Sequence, residues 1–284
     1  VDIDLAHTFL AVVESGSFVS AAERVHVTQS TVSMRIKSLE DRLGKPLFER
    51  SKSGTKLTPA GLLFQRHAMA MVRVWEQARL EIALPPGYRA ALTIGGQYSL
   101  WDGFLMDWVS RMRAAFPDIA LRMQLGFSRA LMQRMVDGTL DMGVMYTPES
   151  RPGFDIEMLF EEELVLATSA KQGEGWPGRN YVYVDWGPEF QADHSLNFPD
   201  LSTPGLYMEI GSLGLSYLLQ NAGSGYFPRR VVQPYVDAGR LSVISSAPVF
   251  SYPAYVIYPA DADPDLQDAV LTSLREIAVQ HRPC

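Results

Sequence analysis

The chain has 284 residues, room for two domains with filled cores, and its hydrophobic (47%) and charged (20%) fractions are those of a soluble globular protein. No apolar run approaches the ~18 residues of a membrane-spanning helix, the five histidines (His7, His26, His67, His194, His281) show no metal-ligand spacing, and the one cysteine is Cys284, so membrane, metal-centre and disulfide classes fall away. The net charge of −7 hides an asymmetry: residues 1–89 carry 12 Lys/Arg against 9 Asp/Glu, and residues 90–284 carry 13 against 23. A cationic head on an acidic body means that only the head suits a polyanion.

Asp4 to Ser15 reads as a first helix, with Leu5, Phe9, Val12 and Val13 as its apolar stripe and Gly16 as its end. Ser17 caps a short second helix, Phe18–Val25, whose Ala21 and Ala22 let a neighbour come close. After His26-Val27 the chain enters Gln29–Leu43, capped by Thr28. Here Val32, Ile36, Leu39 and Leu43 fall on one face, while Ser30, Met34 and Lys37 point the other way with Ser33 beside them. Helix, short turn and second helix with a small polar face make a helix-turn-helix, and that face fits a major groove. Gln29 suits adenine, Thr31 and Ser33 suit phosphate, and Arg35 and Lys37 suit phosphate or base. Met34 cannot hydrogen-bond a base but can touch a thymine methyl.

Leu47-Phe48 and Lys56-Leu57 read as two short strands around the basic turn Ser51-Lys52-Ser53-Gly54, a wing that brings Arg50, Lys52 and Lys56 toward phosphates. Thr58-Pro59 then opens a long helix that runs to about Leu84 and stops at Pro85-Pro86-Gly87. Phe64, Ala68, Met71, Trp75, Ala78 and Ile82 follow one another at alternating steps of four and three, a seam that pairing with a second copy would bury.

The run AAERVHVTQSTVSMRIKSLEDRLGKPLFERSKSGTKLTPAG (21–61) resembles the DNA-binding head of LysR-type transcriptional regulators. That resemblance implies a winged helix-turn-helix, a dimerising linker helix, and a two-lobed α/β effector domain like periplasmic binding proteins. It also implies association to a homotetramer, promoter DNA as partner, and RNA polymerase as a further candidate partner. Ser99-Leu100-Trp101 and Asp185-Trp186-Gly187-Pro188 are similar to the HdfR-like subgroup. Where Met34 stands the family commonly has arginine or lysine; where Ser30 stands it often has proline or a small residue.

From Ala91 the pattern turns α/β, with a strand at 91–96, a helix at Leu100–Phe116, an alternating strand at 119–125, a helix at Ser128–Val136 and strands at Met142–Tyr146 and 163–168. From about 170 the chain reads as looser, with apolar segments at Tyr207–Ile210, Leu213–Leu219 and Tyr252–Tyr258 and a closing helix at Pro264–Gln280. The expected division is 1–58 for the head, 59–89 for the linker and 90–284 for the body, with one lobe formed by 90–167 and 260–284 and the other by 168–259.

A cleft between two such lobes takes small ligands at strand ends and helix N-termini. The residues so placed are Gln97-Tyr98-Ser99, Phe127-Ser128, Tyr146-Thr147 and Gly211-Ser212, with Leu100, Trp101 and Trp186 alongside. The family resemblance stresses Ser99 and Ser128, and the helix termini favour an anionic effector such as a carboxylate. No GxSxG elbow, Walker loop, HExxH or Cys/His cluster suggests an enzyme, no cofactor is expected, and Glu161-Glu162 reads as a solvated strand entry. No charged-then-apolar leader opens the sequence, so a cytoplasmic regulator is expected rather than a secreted solute-binding protein. An architectural DNA binder without effector is the remaining alternative.

Overall fold

The computed structural model describes residues 2–51, 54–169, 180–201, 204–261 and 264–281. The head consists of α1 (Ile3–Ser15), α2 (Phe18–Arg24), α3 (Gln29–Leu43) and the antiparallel hairpin β1 (Phe48–Ser51) and β2 (Gly54–Leu57). Side chains cap each helix start: Asp2 accepts from the Asp4 N–H, Ser17 from Val19 and Ser20, and Thr28 from Thr31. His26 takes a positive φ of 54° in the turn before α3. Beneath these elements Leu5, Phe9, Val12, Ala21, Ala22, Val32, Ile36, Leu39 and Leu47 form one buried core. Leu43, expected in the α3 stripe, is 44% exposed, because Gly44 ends the helix there and the core stops at Leu39.

The linker helix α4 (Pro59–Ile82) starts against the wing, with Thr58 donating to the Pro46 carbonyl and accepting from Gly61. Its seam divides along its length. Ala68 lies in the head core and Phe64 packs edge-on against Phe9 at 5.0 Å between centroids, so these two are covered within the chain. Trp75 and Ile82 remain 49% and 86% exposed. Another face of α4 meets the body: Arg73 pairs with Asp261 at 2.5 Å, and Val136 and Phe154 of the body join the head core.

The body is one sheet in the order β4-β3-β5-β11-β6-β9-β7-β8, with β10 (Ser242–Val243) added to β6. Its first half carries β3 (Ala90–Gly96), β4 (Ile119–Leu125) and β5 (Met142–Met145), with β3 parallel to both neighbours. The other half carries β7 (Tyr181–Val184), β8 (Leu206–Met208) and β9 (Ser224–Pro228), with β7 parallel to both. The halves are joined by two long antiparallel strands, β6 (Phe154–Thr168) and β11 (Phe250–Pro259), whose register shifts between Ala254 and Tyr255. Sequence reading located only the end of β6, at 163–168. The crossing therefore lies within this shared ladder, where β11 pairs with β5 on one side of the shift and β6 pairs with β9 beyond it.

Helices cover the sheet: α5 (Tyr98–Leu100), α6 (Met106–Ala115), α7 (Ser128–Val136), α8 (Pro188–Asn197), α9 (Gly211–Gln220), α10 (Arg229–Asp237) and α11 (Pro264–Gln280). The expected single helix over 100–116 is broken by a wide π-type turn at Trp101–Leu105, where Gly103 takes φ 84°. In β4, Ile119 is buried but Met123 and Leu125 are exposed, because β4 is the sheet edge. The stretch that reads as loose from 185 onward holds α8 and α10; the segment 173–178 lies outside the described residues. No described helix is long and apolar enough to cross a membrane.

The linker–body junction carries a pH dependence. Asp141 accepts from the Thr93 N–H at 2.7 Å, and burial pushes its carboxyl up to about 6. A folded pKa above the unfolded value adds stability that is full below pH about 4 and is lost as pH rises through about 6. Asp141→Asn keeps an acceptor and removes the charge, so we expect its Tm to exceed the parent's at pH 8 by about 5 °C, reflecting roughly 2 kcal/mol. The two Tm values should converge at pH 4; equal melting curves at pH 8 would refute this account.

Candidate DNA-binding and effector sites

On α3, Thr28, Gln29, Ser30, Met34 and Lys37 are exposed, and Thr31 and Ser33 are half-buried on the flank. Val32, Ile36 and Leu39 hold the opposite face in the core, so the outward face is fixed by packing. The Thr28 hydroxyl lies 2.8 Å from that of Ser30 and 2.9 Å from that of Thr31 at the helix start. Met34 is 65% exposed, an apolar side chain at the centre of a polar face. Arg35 does not share that freedom: its guanidinium donates to Thr8 Oγ1 at 3.1 Å and pairs with Asp4 at 3.0 Å, tying α3 to α1. The wing is also anchored, since Glu40 accepts from the Leu47 and Phe48 N–H groups and the Thr55 N–H donates to Gly16. Arg50 stands in β1 opposite Thr55, and Lys52 lies outside the described residues.

In the body a cleft of about 640 Å³ opens between the sheet halves. Nine sequence-expected residues line it: Gln97, Tyr98, Ser99, Phe127, Ser128, Tyr146, Thr147, Trp186 and Gly211. Three do not. Leu100 is fully buried, Trp101 turns its indole N–H to the Gly96 and Gln124 carbonyls, and Ser212, half-buried at the start of α9, is not part of the lining. The helices at the cleft, α7, α8 and α9, start without a side-chain cap, unlike α1 to α4, so their N–H groups are left to a ligand or water.

Gln97 organises one wall: its Oε1 accepts from the Tyr146 N–H at 2.7 Å and the Ser128 hydroxyl at 3.1 Å. Behind it, Ser99 Oγ lies 2.9 Å from Tyr146 Oη, which donates to Glu162 at 2.7 Å. Burial, then the Glu162 carboxylate, holds the Tyr146 phenol far above its ordinary pKa, so it stays a neutral donor. Glu162 is 3% exposed and paired with Arg230 at 3.0 Å, which corrects its reading as a solvated strand entry; sequence proximity to Glu161 concealed a partner 68 residues away. Arg230 also donates to the Ser99 carbonyl at 2.8 Å and to the Asp102 carbonyl, so α10 of one half grips the broken helix start of the other.

Tyr252 stacks on Tyr146 at 3.9 Å, and its hydroxyl donates to the Trp186 carbonyl. Sequence reading missed Tyr252, Arg129, Glu149 and Glu209 as lining residues. Arg129, Glu149 and Glu209 were signalled by their places within two residues of Ser128, Thr147 and Gly211; Tyr252 becomes a neighbour only through the fold. Among the described residues no group of His, Cys, Asp and Glu is arranged to hold a metal.

Comparison with known proteins agrees with this architecture. Residues 3–62 match the bacterial regulatory helix-turn-helix protein, lysR family, and residues 86–174 match the LysR substrate binding domain. The HTH-type transcriptional regulator HdfR of Escherichia coli (strain K12) is 28% identical, covering 98% of each chain. In fold the chain is similar to ArgP from Mycobacterium tuberculosis (TM-score 0.60, 21% identity, 96% of each chain). It is likewise similar to full-length LysG from Corynebacterium glutamicum with bound effector Arg (TM-score 0.59, 18% identity, 100% of each chain). With a helix-turn-helix head and a substrate-binding body matched in their family order, the chain belongs to the LysR family of transcriptional regulators, which bind DNA through the first and an effector through the second.

Proposed function

We propose that this regulator reads promoter DNA with the N-terminal half of α3 and the wing, as a homodimer that doubles to a tetramer, under control of a carboxylate-bearing effector in the body's cleft. The observation that carries the DNA reading is the polar face of α3, with Gln29, Ser30, Met34 and Lys37 exposed, over a packed core. Gln29 supplies amide recognition of a base, and Thr28, Ser30, Thr31, Ser33 and Lys37 supply phosphate and sugar contacts. Met34 supplies apolar contact with a thymine methyl. Arg50 and Lys52 carry the wing's flanking contacts. Arg35 is held by Asp4 and Thr8 and acts by setting the angle between α1 and α3.

Binding of operator and random DNA, measured by fluorescence anisotropy at two salt concentrations, tests the division of labour. Gln29→Ala should cut discrimination by about 1–3 kcal/mol. Lys56→Ala, at an exposed position of β2, should weaken both DNAs alike and reduce the salt slope by about one. Equal losses on both DNAs from the Gln29 change would remove it from base readout.

The remaining open seam supports dimerisation. Ile3, Ala6, Ala70, Met71, Val74, Trp75 and Ala78 line an apolar groove on α1 and α4, and Ile82 continues it. Trp75→Glu should raise the dimer dissociation constant by about tenfold or more in sedimentation velocity; an unchanged dimer would place the interface elsewhere. A cytoplasmic, non-enzymatic regulator engaging RNA polymerase at promoters completes this reading.

A further inference from the structure

The cleft carries opposite charges on its two sides. On one side, Ser128 opens the uncapped nine-residue helix α7 and Arg129 follows it. On the other, Asp185 follows β7 and Glu209 precedes α9. Glu149, a third carboxylate in the lining, is already paired with Arg151 at 2.9 Å. Asp185 accepts from the Gly187 N–H at 2.8 Å and the Tyr207 hydroxyl at 2.6 Å, both neutral donors. Among the described residues Arg129, Asp185 and Glu209 have no ion pair, so none of these three charges is answered by an opposite one within the chain.

We propose that the effector is a small zwitterion, its carboxylate held by Arg129, Ser128 and the α7 N-terminus and its cationic group held by Asp185 and Glu209. This rests on the cleft being the effector site. A lone anion would satisfy the first side but close the cleft onto two uncompensated carboxylates, and like charges brought together out of water are costly. A lone cation would leave Arg129 and the open helix start unmatched. A ligand with both groups satisfies each side at once and draws the two halves of the sheet together. The Trp186 and Tyr252 rings in the same lining suit a short apolar or cationic spacer.

Thermal shift and calorimetry on the full chain test this with the twenty common amino acids as probes. For each binder, the same molecule without its amino group and the same molecule without its carboxylate are measured as well. At least one amino acid should bind, and removing its amino group should weaken binding about tenfold or more. Glu209→Gln should weaken the amino acid by a similar factor and leave the amine-free acid unaffected or improved. Glu209 is exposed and the change nearly keeps its volume, so folding is preserved. Amine-free acids binding as tightly as their parents, or no amino acid binding at all, would overturn the proposal. If acids without an amine bind and Ser128→Ala weakens them, the cleft reading survives and only the ligand class fails. If ligands bind but neither Ser128→Ala nor Arg129→Gln alters their affinity, the cleft reading fails with it.

Discussion

Arg230→Ala should lower the Tm of this protein by roughly 10 °C at neutral pH, the largest loss expected from a single side chain in the body. Its partner Glu162 has side-chain exposure of only 3%, and that of Arg230 is 12%. Truncation leaves a buried carboxylate whose remaining partner is the Tyr146 hydroxyl, and the Ser99 and Asp102 carbonyls lose a charged donor. Breaking a buried pair from one side costs about 3–5 kcal/mol, because the surviving charge is stranded away from water. Removing both charges is a different experiment. Glu162→Met with Arg230→Met should recover most of the stability while releasing the grip on the broken helix start. Differential scanning calorimetry of the single and double variants decides the matter. A single-variant loss below about 2 °C would mean that water reaches Glu162 and the pair is not structural.

The same pair shows what sequence reasoning reached and where it stopped. The head was legible almost residue by residue, since caps, apolar stripes and the small alanines are local signals read within one or two turns of helix. Leu43 was misplaced only because helical spacing continues past the point where the core ends. The cleft was legible at Ser99, Ser128, Tyr146 and Thr147, where strand ends run into helix starts along the chain. It was illegible where lining depends on distant segments: Tyr252 reaches Tyr146 through the β11 crossing, and Arg230 reaches Glu162 through α10. Helices α8 and α10 escaped notice because α8 is rich in polar and aromatic residues with a weak stripe, and α10 holds Pro234 inside it. Arg35 looked like a free cation on a DNA-facing helix; only the packing of α1 across it brings Asp4 within 3.0 Å.

The ion pairs between head and body follow the same logic and give the interface its character. Arg151 pairs with Glu14 of α1 at 2.6 Å as well as with Glu149 of the cleft lining, and Arg24 of α2 lies 3.5 Å from Asp137 at the end of α7. Burial raises the Asp137 carboxyl pKa, with the Gln133 amide and Arg24 acting in the opposite direction. These contacts are polar and partly exposed, of the kind that exchange with water easily, whereas the apolar contacts of Val136 and Phe154 with the head core resist separation. A regulator whose body must influence its head gains from a contact of this mixed kind, which is specific in register yet not as costly to break as a continuous core.

Gly61→Ala should disable the head while sparing the body. A Cβ at this buried position would stand 2.2 Å from the Leu47 carbonyl oxygen and 2.8 Å from a Leu57 methyl. The first obstacle is backbone, held in place because the Thr58 N–H donates to the Leu47 carbonyl and Glu40 accepts from the Leu47 N–H. A backbone wall cannot rotate aside as a side chain can, so α4 must lift from the start of the wing. Overpacking of this sort costs about 1–3 kcal/mol or more, and the head is small enough that such a loss is a large part of its stability. The displacement acts on the segment that joins α3 to the wing, so operator affinity should fall by about tenfold or more through misplaced contacts even in molecules that remain folded. Two readouts separate this from general collapse: operator binding by anisotropy, and binding by the body of whichever probe stabilises the parent protein. We expect loss of the first with retention of the second. Parent-like operator affinity together with an unchanged melting curve would show that the linker helix has room at its start, and that the close approach of α4 to the wing does not govern how the head meets DNA.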